Sequence, residues 1–269
     1  MAGFVRALKW PTRAILMAPG MRHWMYRFHE YRLSRTHADW PKAGPDGLPL
    51  PGPYLMQTVV GHTDWHKFLQ GGEETASIIS GAIARNGGGF AGAQRILDLG
   101  CGCGRLIRFL PRLTEAELHG VDYNKRLLKW CRSNLPGEFQ RNGLLPPLRY
   151  RDAHFDITYL LSVFTHLRRE SQTLWIAELA RITKPGGFVF ITFHDEDYVE
   201  LIDEPIDREM LLRDGFIVHN DFSEGSNAMA SFQTRAVMDD VCQTHFEVCE
   251  IIGTGESELN QAYAVLRRT

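Results

Sequence analysis

The chain has 269 residues, 44% hydrophobic and 23% charged, with 30 Lys+Arg against 32 Asp+Glu for a net charge of −2. That mixture excludes a collagen-like, coiled-coil or mostly disordered chain, and the near-neutral balance argues against the basic footprint of a nucleic-acid binder. No run of about 18 apolar residues is present, so no membrane-spanning helix is expected.

The first 35 residues are lopsided: Arg6, Lys9, Arg13, Arg22, Arg27, Arg32 and Arg35 face a single acid, Glu30, with aromatic and aliphatic residues interleaved. Three readings stay open for this arm: a helix packed on the main domain, a basic segment touching anionic lipid, or a transit peptide. Residues 41–53, rich in Pro and Gly, read as an extended connector. A helix is expected over Glu73–Arg85, with Ile79 and Ile83 on one face and glycines at its end. Short apolar runs predict strands at Arg95–Leu99, Glu117–Asp122, Phe139–Arg141, Phe155–Leu161 and Gly187–Thr192. Helices are expected between them at Arg105–Leu110, Leu127–Asn134 and Ser171–Ile182. That alternation argues for βαβ units and a parallel sheet.

Farther on, Thr234 is placed to cap a helix that runs to His245 with Val237 and Val241 inward, and strands follow at Phe246–Gly253 and Gln261–Arg267. Their link is too short for a crossover helix, so the last strand should run antiparallel. Residues 195–233 interrupt the pattern after the fifth strand, with a short helix at Arg208–Arg213 and a hairpin around Gly225. Ligands of open α/β sheets bind beyond the carboxyl ends of the strands, so this segment reads as a cap over a substrate.

The strongest motif is Asp98-Leu99-Gly100-Cys101-Gly102-Cys103-Gly104-Arg105, where a strand runs into alternating glycines. Glycine permits a tight turn and lets a ligand approach the backbone, and a helix start behind it offers free N–H groups. A dinucleotide needs a third glycine where Arg105 stands, and Asp98 would repel a pyrophosphate but suits a ligand carrying an ammonium group. Five scattered cysteines, Cys101, Cys103, Cys131, Cys242 and Cys249, do not form a disulfide framework and read as reduced thiols of a cytoplasmic protein. Cys101 and Cys103 have no second ligand pair at zinc spacing and read as loop filling.

This loop resembles the first motif of the class I S-adenosylmethionine-dependent methyltransferases, an acid-x-G-x-G-x-G sequence, and the likeness extends over about residues 73–192 and on toward 269. The resemblance implies a doubly wound, Rossmann-like α/β fold, mostly parallel with an antiparallel last strand, over residues 73–269. Residues 1–72 then form a basic arm, connector and lid. It implies S-adenosylmethionine as cofactor, bound by Asp98, Gly100, Cys101, Gly102 and Gly104. Asp122, 22 residues after Gly100, is placed to accept both ribose hydroxyls, and Tyr123 to lie against the adenine. Asn142 and Gly143 correspond to the adenine-binding position, and Ser162 to the motif after the fourth strand. Relatives that hold a metal place acids after that strand; here stand Ser162, Thr165 and His166, so no metal is expected.

A sulfonium-bound methyl is already activated, so alignment and exclusion of water are the main demands. A hydroxyl acceptor also benefits from a base titrating near 6.5, for which His194, after the fifth strand, is the first candidate and His166 the second. Trp65 and Phe68 are candidates to line the acceptor pocket. The expected activity is methyl transfer to an oxygen of a small saccharide, lipid-linked or secondary-metabolite acceptor, without nucleic acid. Methylation of protein or RNA, and a non-catalytic cofactor-binding module, are the alternatives.

Overall fold

In a computed structural model that describes residues 19–201, 208–219 and 223–269, the chain divides into two units, Met1–Phe68 and Leu69–Thr269. The first eighteen residues of the basic arm lie outside the described residues. In the first unit, α1 (Pro19–Thr36) meets α2 (Pro53–Val60) through His29, whose Nε2 donates to Gln57 Oε1 at 2.8 Å. Pro53 opens α2, where no intrahelical N–H is needed, and Gly61 closes it in the left-handed region at φ 78°. The Pro/Gly connector folds around a bridge between Ala43 and Pro49.

The helix expected at Glu73 begins earlier, as α3 (Trp65–Arg85). Asp64 Oδ1 accepts from the N–H groups of His66 and Lys67, both at 3.1 Å, which starts the helix ahead of Gly71-Gly72. Gly72 is a packing residue inside this helix, because a Cβ there would collide with the Arg105 carbonyl. Ala76, Ile79 and Ile83 form its buried stripe.

Seven strands build the main sheet: β1 (Arg95–Leu99), β2 (Glu117–Asp122), β3 (Glu138–Arg141), β4 (Phe155–Leu160), β5 (Thr183–Phe193), then β8 (Phe246–Ile252) and β9 (Ala262–Arg268). Their spatial order is β3-β2-β1-β4-β5-β9-β8. All pairs from β3 to β5 are parallel, and β9 runs antiparallel between β5 and β8, as the short β8–β9 link requires. The chain order reverses between β1 and β4, the place where open α/β sheets bind ligands beyond their carboxyl ends. Helices α4 (Lys125–Asn134) and α5 (Arg169–Ile182) are the crossovers, and α5 buries Trp175, Ile176 and Leu179 in the core beside Val189 and Ile191 of β5.

Two expectations are corrected. No α-helix follows the glycine loop: the chain makes turns and then a 3-10 helix over Ile107–Arg112. Pro111 supplies no N–H and disfavours a helical residue before it, so Phe109 N–H bonds the Leu106 carbonyl three residues back at 2.9 Å. In the late helix, α7 when counted after the cap helix α6 (Arg208–Asp214), residues Arg235–Gln243 bury Met238 and Cys242, with Val237 and Val241 only half-buried. Thr234 caps it as expected, accepting from Val237 N–H at 3.3 Å.

The segment after β5 contains α6 and an antiparallel hairpin of β6 (Phe216–His219) and β7 (Ala230–Gln233), with a small core of Val199, Leu211, Ile217 and Phe232. Ser231 Oγ donates to the Phe164 carbonyl at 2.8 Å and Gly225 N–H to the His166 carbonyl at 2.8 Å, so the hairpin is fastened to the turn that follows β4.

Candidate functional site

At the carboxyl end of β1, Gly100, Gly102 and Gly104 all take positive φ, at 82°, 56° and 74°. A side chain at Gly100 would also collide with Val163, and one at Gly104 with Leu135, so these positions require glycine twice over. The N–H groups of Gly100 and Cys101 both donate to the Val121 carbonyl, at 2.8 and 3.0 Å. The loop is therefore pinned to the end of β2, and its N–H groups are not a helix N-terminus.

Asp122 completes that connection. Its Oδ2 accepts from Gly102 N–H at 2.9 Å and its Oδ1 from Asn124 N–H at 2.7 Å. Each oxygen keeps a second lone pair, enough for one hydroxyl apiece. Burial raises its pKa, and the two N–H donors oppose that shift. Tyr123, next in the chain, is 46% exposed.

Asp98 sits inside the sheet, opposite Gly120 of β2 and Tyr159 of β4. It is buried, its Oδ2 has no hydrogen-bond partner, and burial pushes its pKa up to about 7. The Tyr159 hydroxyl beside it opposes that rise, the charge of Asp122 adds to it, and Arg105 opposes it. A buried carboxylate oxygen without a partner is costly and calls for a donor or a cation. Asn142, after β3, donates through Nδ2 to the Gly143 carbonyl at 2.8 Å, while its Oδ1 is buried without a donor. That oxygen can accept from an exocyclic amino group. An unsatisfied acid, a ribose-type acceptor and an amide acceptor thus surround the glycine loop, and the set fits S-adenosylmethionine, which carries an ammonium, a diol and an adenine amino group.

After β4, Ser162 takes φ 56° and its N–H donates to Thr192 Oγ1 at 2.8 Å. Its hydroxyl donates to Gln261 Oε1 at 3.0 Å, and Gln261 Nε2 lies 3.3 Å from His194 Nε2. Sequence reasoning missed Gln261. The signal was there, because an antiparallel last strand begins at the edge where the parallel strands end, and Gln261 directly precedes β9.

His194 is buried and stacks on Tyr198 with centroids 3.9 Å apart, and burial, reinforced by the nearby His166, lowers its pKa to about 3. Burial thus moves His194 away from the titration near 6.5 expected of a free imidazole and favours its neutral form. His166 pairs through Nδ1 with the Met229 carbonyl at 2.7 Å, which makes Nδ1 the donor and leaves the lone pair on Nε2. Burial lowers its pKa as well. Trp65 and Phe68 occupy the first turn of α3; Phe68 is fully buried and Trp65 stacks on His66 at 3.4 Å.

Residues 97–191 match a family model described as a methyltransferase domain. A solved S-adenosylmethionine-dependent methyltransferase of Mesorhizobium loti superposes with a TM-score of 0.56 at 16% identity, covering 70% of this chain and 96% of its own. A Pyrococcus horikoshii protein gives 0.55 at 17%, covering 73% and 91%. At such identities the likeness is one of fold. A phthiotriol/phenolphthiotriol dimycocerosates methyltransferase of Mycobacterium ulcerans is 31% identical over 105 residues, 37% of each chain. A ubiquinone biosynthesis O-methyltransferase of Thiobacillus denitrificans is 30% identical over 104 residues, 37% of this chain and 44% of its own. A tRNA methyltransferase of Arabidopsis thaliana is 34% identical over 98 residues, 36% and 23%. The chain spans less than half the length of these relatives. The family match ends before the cap, and it takes in β2, β3 and β4 and most of β1 and β5, five of the seven strands.

Proposed function

We propose that this chain, a class I S-adenosylmethionine-dependent methyltransferase, methylates a hydroxyl oxygen of a small neutral acceptor, lipid-linked or saccharide. The observation that carries the reading is the unsatisfied, buried Asp98 beneath a loop of three positive-φ glycines, with Asp122 and Asn142 beside it. When bound, S-adenosylmethionine supplies a methyl carbon activated by its sulfonium. Asp98 would hold the ammonium, Asp122 the ribose and Asn142 the adenine, and holding all three would fix the donor relative to the acceptor.

The groups beyond Ser162 support a neutral acceptor. His194, Tyr198, Phe232, Ser162 and Gln261 are uncharged, and the nearby Asp195 is already engaged by Thr254 Oγ1 and the N–H groups of Tyr198 and Thr254. Among the described residues there, no carboxylate is left free for an amine acceptor. A hydroxyl must lose its proton as its oxygen bonds the methyl carbon and the carbon–sulfur bond breaks. His166 Nε2 takes that proton, while His194 and Gln261 act as positioning residues. Two of the relatives bear names of lipid and quinone methylation, which supports the lipid-linked form.

The test is transfer of labelled methyl from S-adenosylmethionine to separated lipid, saccharide, amine and RNA fractions. Incorporation is expected in a hydroxyl-bearing lipid or saccharide, with His166→Ala slowing turnover about 10²–10⁴-fold at unchanged cofactor affinity. Label only in RNA or amines, or full activity in His166→Ala, refutes this reading.

A further inference from the structure

We propose that the outer face of α1 is a docking surface for anionic lipid; this stands apart from the methyl-transfer reading. Trp24, Phe28 and Tyr31 follow at i, i+4 and i+7, which places them in one row along the helix. They are 60%, 49% and 56% exposed. The opposite face is already occupied: His29 pairs with Gln57 and meets Tyr54 edge-on, and His37, just past the helix, pairs with Thr63. Among the described residues of this unit, the aromatic row stays exposed, and a contiguous exposed apolar patch marks an interaction surface.

Charge identifies the occupant. Arg22, Arg27, Arg32 and Arg35 stand in α1 against the single acid Glu30, in a chain whose net charge is −2. Arg35 shares the aromatic row, its Nη1 donating to the Tyr31 hydroxyl at 3.2 Å, and Arg27 is exposed on its flank. Aromatic rings set among arginines suit the headgroup layer of a bilayer, where the rings enter the acyl boundary and the guanidinium groups meet phosphates. Among the described residues no helix is long and apolar enough to cross a membrane, so α1 would lie in the plane of the surface. Single-stranded nucleic acid also uses aromatic rings and arginine, but it needs open ring faces. Here Trp24 and Phe28 stack on each other, with centroids 5.4 Å apart and planes within 7°. The row is built to insert as a block rather than to receive bases.

The full chain should co-sediment with phosphatidylcholine vesicles that contain phosphatidylglycerol, and not with phosphatidylcholine alone, and the binding should weaken as salt is raised. The Trp24→Ser/Phe28→Ser variant should partition about tenfold or more weakly, and Arg27→Glu/Arg35→Glu should lose the preference for the anionic lipid. Both should keep the wild-type melting temperature and affinity for S-adenosylmethionine, because these side chains are exposed and remote in sequence from the glycine loop. Absence of vesicle binding, or binding that survives both variants, overturns the proposal. So does binding of single-stranded RNA, or self-association of the chain, that these variants abolish in its place.

Discussion

Replacing Asp98 by Asn removes a charge that the free protein hardly supports. In the wild type the carboxyl titrates at about 7 because burial disfavours its ionised form. Beside the ammonium of bound S-adenosylmethionine it stays ionised down to the ordinary carboxylate range near 4. Binding below pH 7 therefore expels a proton, and affinity rises with pH. The dissociation constant should be about 100-fold weaker at pH 5 than just above pH 7, or about 2.7 kcal/mol. Above pH ~8 the cofactor's own amino group deprotonates and affinity should fall again. Stability of the free protein runs in the opposite sense. A carboxyl whose folded pKa lies above its unfolded value costs nothing at pH below about 4, and its cost grows to at most about 4 kcal/mol above pH 7. Asp98→Asn should therefore melt higher than the wild type at pH 8 without cofactor, yet bind cofactor more weakly and with no slope between pH 5 and 7. Isothermal titration calorimetry in buffers of different ionisation enthalpy reads the released proton directly. Equal affinity at pH 5 and 7.5 in the wild type, or the same slope in Asp98→Asn, refutes the role given to this residue.

Asp122→Ala should weaken cofactor binding about 10–100-fold per lost charge-assisted bond, and it should also lower stability by about 1–3 kcal/mol, because Gly102 and Asn124 N–H groups lose their acceptor; unchanged calorimetric affinity would remove Asp122 from the site. Burial holds His194 neutral, so its contribution to stability is complete above pH 6.5 and drains away as pH falls toward about 3, a loss of roughly 2 kcal/mol at pH 5. Urea denaturation at pH 7.5 and pH 5 should show His194→Gln less acid-sensitive than the wild type, and equal sensitivity would contradict the burial argument. Gly100→Ala should cost about 1–3 kcal/mol from positive φ and collision with Val163, and Val163→Ala should recover only the collision part. Thermal melts of the double variant decide this, and no recovery at all would mean that the backbone strain accounts for the whole loss.

The parallel sheet and its antiparallel end were legible in the residues themselves. Apolar runs such as Phe155–Leu160 and Phe188–Ile191 read as buried strands because both faces of a covered sheet are apolar. The short link to the last strand allowed one direction only. The glycine loop was legible too, since Gly100, Gly102 and Gly104 all take the positive φ that favours glycine. What the tertiary structure decided was how those groups are used. Gly71-Gly72 reads as a break by local propensity, but Asp64 and the close approach of the Arg105 carbonyl keep it helical. Pro111 turned the expected helix after the loop into a 3-10 turn, so Asp122 and the Val121 carbonyl hold the loop's N–H groups. Burial lowers the pKa of both His194 and His166, and one carbonyl, that of Met229, lies sixty-three residues along the chain from the His166 ring it orients. Desolvation and long-range hydrogen bonds depend on what the fold brings near, so the protonation of a side chain is set by neighbours that its own stretch of sequence does not contain.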